Sequence, residues 1–354
     1  PATSAATQAP PPEPSAPAAE ASAPRDEASA TAVAEPAPRV PREGLAAAAP
    51  VGVKVADSDQ PVALAVANDT VVWLDARRGV VASAPLAGPP PKKLHVLAKG
   101  LAIEPALASR AIAFDGTDVF WISGVERKGA RHRGVFRVAA DGGKLFELAA
   151  ARAGSGDVAI GGDDVYWLDR DVEDPAAGPA ALVVASKKDG HARELVRMAG
   201  ACALAVDATA LYWIELGDKP AIRRADLATA DVKTLAPANG AACALTVDDH
   251  AVSWLRARGD EVLSVDKAGG AARVVARVHA RISGIASSAS GLVVLTDMFP
   301  DGDRLDAVLW RLSATGGEPA AVARGGLNAR LAASGAAVIW SSWDDGGGAI
   351  QRAP

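Results

Sequence analysis

The chain has 354 residues, 49% of them hydrophobic, with 42 acidic against 37 basic side chains and a formal net charge of −5. That balance lacks the clustered basic excess of a nucleic-acid surface, so nucleic acid is not an expected partner. No apolar run reaches the roughly 18 residues that a membrane-spanning helix needs.

Residues 1–45 come first and hold 10 Pro and 14 Ala. Such a segment cannot bury enough apolar surface to offset the entropy of ordering, so it reads as a disordered, extended tether. Residues 46–354 read as a repeat array. Six of the eight Trp recur in one context, Val-Val-Trp73, Val-Phe-Trp121, Val-Tyr-Trp167, Leu-Tyr-Trp213, Val-Ser-Trp254 and Val-Ile-Trp340. The successive intervals are 48, 46, 46, 41 and 86 residues. The last is about two periods, which places a further copy at Leu292-Val293-Val294-Leu295-Thr296-Asp297, with Leu295 standing in for Trp. Seven copies of about 44 residues result.

Within the fourth copy, Ala203–Val206, Leu211–Ile214, Ala221–Ala225 and Val232–Leu235 read as short strands separated by turn residues. Even spacing of such runs, with no helical period, predicts an all-β fold: a seven-bladed β-propeller of four-stranded antiparallel blades. Small residues such as Ala63, Ala65, Ala113, Ala203, Ala205 and Ala244 suit an innermost strand, where the blades converge. The seventh copy ends one strand short. The alternating run Val51-Gly52-Val53-Lys54-Val55 has no partner of its own and is expected to complete that last blade as its outer strand, closing the ring.

Val165-Tyr166-Trp167-Leu168-Asp169 is one substitution from a Tyr-Trp-Thr-Asp signature, and Val72-Trp73-Leu74-Asp75 and Leu295-Thr296-Asp297 keep parts of it. In this the chain resembles YWTD propellers. With its Ala-Val-Asp, Val-Tyr-Trp and Gly-Gly elements it looks closer still to secreted bacterial propeller repeats, over nearly all of residues 50–354. The resemblance implies a fold and an exported location, periplasmic, outer-membrane-tethered or extracellular. It does not imply an activity, and the ligand sites of six-bladed receptor propellers do not carry over to seven blades.

Cys202 and Cys243 stand one repeat apart in the same frame, Ala-Cys-Ala-Leu. Equivalent points on adjacent inner strands make them a disulfide candidate, the alternative being two buried thiols. A bond would favour an oxidising compartment.

Chemical motifs are sparse. The five His are scattered over different copies, and no nucleophile elbow, phosphate loop or dinucleotide fingerprint occurs, so no catalytic or cofactor-binding residue is nominated. The connections Ser123 to Gly134, Arg170 to Ala180 and Asp297 to Ala307 read as long loops between second and third strands, on one face of the ring. That face is the expected binding surface. Its polar candidates are Arg131 and His132 in the second copy, Asp171 in the third, and Asp301 and Asp303 in the sixth, where Asp297, Asp301, Asp303 and Asp306 could supply oxygens to Ca²⁺ although they lack an EF-hand pattern. Its apolar candidates are Met298, Phe299 and Trp343, aromatic or Met side chains in polar loops of the kind that anchor protein interfaces. The expected function is a non-enzymatic exported scaffold binding another protein or an envelope component. A metal-dependent lactonase- or lyase-type enzyme with acids at the axial channel, and a structural subunit that self-assembles, are the alternatives.

Overall fold

Short β-branched runs bounded by Gly, Asp and Pro pair in the computed structural model into seven antiparallel blades, six of them ordered from inner to outer strand along the sequence and the seventh taking its outer strand from the N-terminal side. The structure describes residues 39–40, 50–106, 110–127, 129–171, 174, 178–238, 240–256, 259–278, 281–297, 307–313, 319–326 and 328–354. The fourth blade is representative, with strands Gly200–Val206, Ala210–Leu216, Ala221–Asp226 and Val232–Pro237. In the second blade the inner strand is split into Leu101–Ala102 and Ile112–Phe114. Among the described residues no α-helix forms, and the fold is a seven-bladed β-propeller. The tether expected over residues 1–45 lies outside the described residues except for Arg39–Val40, which pair in parallel with Arg277 and Val278 on the outer edge of the fifth blade.

Trp residues fill the seams between blades. Trp73 packs with Ile339 and Ile350 of the seventh blade, Trp213 with Leu168 and Leu182 of the third, and Trp340 with Leu295 and Leu309 of the sixth. The sixth blade corrects the expected register. Leu295 faces the seventh blade, so Val294, on the opposite side, takes the place of the repeat Trp. A one-residue offset reverses a strand's facing, and the motif match at Leu295-Thr296-Asp297 was displaced by that one residue. The missing volume comes from Trp310, which sits directly opposite Val294 on the third strand and donates its Nε1–H to Thr296 Oγ1 at 3.0 Å. Seven Trp thus serve seven seams, all of them at most 1% exposed.

Closure occurs as the unpaired N-terminal run predicted. Val53–Ser58 pairs antiparallel with Gly347–Arg352, completing the seventh blade. The chain then passes straight into the inner strand of the first, Pro61–Ala67.

Backbone hydrogen bonds define two faces. On one, the links between blades meet the connections between second and third strands, as in Ala76 N to Gln60 O, Gly154 N to Arg170 O and Ala238 N to Pro220 O, at 2.8–3.0 Å. On the other, hairpin turns meet, as in Leu86 N to Asp69 O and Leu227 N to Thr209 O. That second face also carries ion pairs between neighbouring blades, Lys187–Asp115 and Lys267–Asp207, both 2.8 Å. Burial pushes both carboxyls up, but turn amides and the neighbouring lysine outweigh it and hold both below the usual carboxylate range. A depressed folded-state pKa contributes stability that is present above about pH 4 and is lost as pH falls toward the folded value. Lys267→Met should therefore cost roughly 1–2 kcal/mol at pH 7, and urea melts should show that difference shrinking below about pH 4. A difference that is the same at pH 3 and pH 7 would exclude this account.

Candidate functional site

On the face that joins blade links to second-to-third connections, the second blade carries the longest strands among the described residues. The expected loop from Ser123 to Gly134 is a β-hairpin: Asp118–Arg127 pairs with Ala130–Ala139 along ten residues each. Its dense charge disguised the strand pattern. Val125 is nonetheless buried beneath it, opposite Leu101. Two hairpin arginines grip one acid of the preceding link, with Arg131 Nη2 at 2.7 Å and Arg133 Nη1 at 2.6 Å from the carboxylate of Glu104. Arg133 also donates to Ser155 O at 2.8 Å in the next link, and His132 Nε2 bonds Glu147 Oε1. Beyond it, Arg152 bridges Asp169 at 2.6 Å and exposed Asp171 at 3.0 Å. Arg131 and Asp171 therefore lie along one polar network over the second and third blades, whereas His132 is tied to Glu147 on the outer strand of its own blade.

Trp343 lies at the same end of the seventh blade. It is half-buried rather than free-standing: the Arg330 guanidinium stacks 5.1 Å from its ring centroid, and its carbonyl accepts from Asn328 Nδ2 at 3.0 Å. Met298, Phe299, Asp301 and Asp303 lie outside the described residues, as do most of the acids proposed for Ca²⁺. Among the described residues no group of three or more His, Cys, Asp and Glu side chains is placed to hold a metal.

Cys202 and Cys243 form a disulfide with a Cα–Cα distance of 5.4 Å, joining the inner strands of the fourth and fifth blades. Cys202 is buried, whereas Cys243 is exposed along the axial channel. A cross-link enclosing 41 residues stabilises by roughly 4 kcal/mol. Dithiothreitol should lower the melting temperature of the wild type and leave a Cys202→Ser, Cys243→Ser variant unchanged. Equal response of the two would show that the thiols are not bonded.

The channel itself has a volume of about 780 Å³ and is lined by the inner strands of all seven blades. Each of those strands is the terminal strand of its sheet, so one edge of backbone N–H and C=O groups is left without a ladder partner there. Those edges make the exposed wall more polar than apolar, because side chains such as Leu64 and Leu204 are buried in the seams between blades. The charged residues of the lining are Arg110, Arg281 and Arg330, with no carboxylate. The acids that an enzymatic reading placed around the axis are therefore not found among the described residues.

Sequence reasoning missed Arg110. Superposing the copies on the residue paired with the repeat Trp shows the signal that was there: the position two residues earlier is Val62, Gly156, Cys243 and Ala329 in four other blades, but Arg in the second.

No family model and no curated protein matches this chain. Solved structures do. A puromycin-hydrolyzing peptidase of Mycobacterium tuberculosis is similar at 15% identity and TM-score 0.55, over 78% of this chain and 48% of that one. Oligogalacturonate lyase in complex with manganese is similar at 13% identity and TM-score 0.53, over 80% and 85%. The nidogen/laminin complex is similar at 17% identity and TM-score 0.48, over 66% and 87%. Fold is what the peptidase and the lyase share with this chain. At such identities nothing about activity follows.

Proposed function

We propose that the protein is a non-enzymatic exported scaffold that binds another protein or a cell-envelope component through the face carrying the second-blade hairpin. The observation that carries this reading is the hairpin itself, two paired ten-residue strands held by the Arg131–Glu104–Arg133 clamp rather than a loose loop. A rigid projection presents its side chains at little entropic cost on binding. Charges of both signs, Arg131 and Asp171, stand exposed on that face, which suits the polar rim of a protein interface. The disulfide supports an oxidising compartment, and no described helix is long and apolar enough to cross a membrane. The Pro/Ala-rich N-terminal segment would serve as the tether.

Photo-crosslinking residues placed at positions 131 and 171, with a control at exposed Ala228 on the opposite face, test the reading. Incubated with a native envelope fraction, the first two should give one common adduct and the control none. Adducts from all three positions, or from none, would refute it.

A further inference from the structure

We infer that the axial channel is a binding site for a small oxyanion, a carboxylate or phosphate group, held by the guanidinium of Arg110. This goes beyond the loop-face reading and does not depend on it.

The inference starts from where Arg110 points. It immediately precedes the inner strand of the second blade, yet its Nη1 donates to the carbonyl of Leu245 at 3.0 Å, on the inner strand of the fifth. In a ring of seven those blades lie on opposite sides, so the side chain spans the channel. Among the described residues this is its one hydrogen bond, and no carboxylate is within ion-pair distance. Asp157, whose charge it feels, is occupied by Arg170 at 3.4 Å. Burial pulls the Arg110 pKa below its ordinary value, with Asp157 opposing. An arginine does not give up its proton in a protein. The fold therefore keeps a full positive charge half-buried in the channel with one hydrogen bond and no ion partner among the described residues, so an anion entering the channel would find a fork of N–H donors to pair with.

Its surroundings fix the class of that counter-charge. The guanidinium matches planar or tetrahedral oxyanions through paired N–H donors. Arg281 and Arg330 stand at the first residues of their inner strands, at the end of the channel nearest the loop face, and add positive potential to its entrance. With no acid among the described residues of the lining, no carboxylate there repels an anion. About 780 Å³ lies within the range of small-molecule sites.

Benzoate, phenyl phosphate and the neutral isostere benzyl alcohol test this by calorimetry and thermal shift at matched ionic strength. The wild type should bind at least one of the two anions saturably, at least tenfold tighter than the alcohol, and which of them it prefers separates a carboxylate from a phosphate ligand. Arg110→Met should lose that preference while melting no lower than the wild type, and Arg281→Ala should weaken anion binding only a few-fold. If Arg110→Met does not fold, Arg110→Gln replaces it with the same expectation. Binding of the alcohol as tight as the anions overturns the inference, as does a preference that survives loss of Arg110, or no saturable binding of either anion at about 10 mM.

Discussion

A chain lacking residues 46–58 should melt at least about 10 °C below the intact protein. The deletion removes the strand Val53–Ser58, whose side chains Val55, Ala56 and Ser58 are at most 3% exposed. Val55 and Ala56 pack with Trp73, Ile339 and Ile350 in the seam between last and first blades. Val55 alone is worth roughly 1.5–3 kcal/mol of burial, and Ser58 makes two further buried hydrogen bonds. The loss also turns Gly347–Arg352 into a free edge, a template for pairing between molecules. Together these exceed about 5 kcal/mol, and for a body of this size each kcal/mol shifts the midpoint by about 2 °C or more.

A subtler variant checks the same joint. An ideal Cβ on Gly52 would stand 2.2 Å from a ring carbon of Trp340, so Gly52→Val should reproduce part of the deletion's effect without shortening the chain. A synthetic peptide covering residues 50–60 should restore part of the lost stability by adding the missing strand in trans. A truncated chain that melts within 2 °C of the intact one would mean the ring is held by its seams alone, and the velcro-like role of the terminal strand would be wrong.

How far the sequence speaks depends on whether a feature repeats. Trp spacing and the orphan run at Val51–Val55 revealed seven blades and their closure because each seam needs the same volume at the same place. Trp310 escaped notice because it restores that volume from the neighbouring strand, a substitution across the ladder that no linear period records. The hairpin at Ser123–Gly134 was hidden because strand alternation on a projection is judged by charge, and both of its faces meet water beyond Val125. Arg110 is the extreme case. Its partner, Leu245, is 135 residues away on the opposite side of the ring, and only the closed circle makes them neighbours.

Asp75→Ala should cost about 3–5 kcal/mol, more than any other single carboxylate in the repeat motif. Asp75 is fully buried and accepts from Ser58 Oγ at 2.6 Å, Asp59 N at 2.8 Å, Gln60 N at 3.3 Å and Arg78 N at 3.0 Å. Ser58 Oγ in turn accepts from Trp73 Nε1 at 3.0 Å. One carboxylate therefore holds the segment that joins the closing strand to the first blade. Removing it strands several donors away from water, and each buried unpaired group costs about 1–3 kcal/mol. Asp169 occupies the same place in the third blade and accepts from Arg152 N at 3.0 Å and Arg152 Nε at 2.6 Å. Its side chain is 13% exposed, so water replaces part of what Asp169→Ala removes. Urea denaturation of the two variants should rank them accordingly, with Asp75→Asn between Asp75→Ala and the wild type because its amide oxygen still accepts. Equal losses at the two positions would show that the signature Asp serves each blade alone. A larger loss at Asp75 would show that it also serves the joint where the chain's two ends meet.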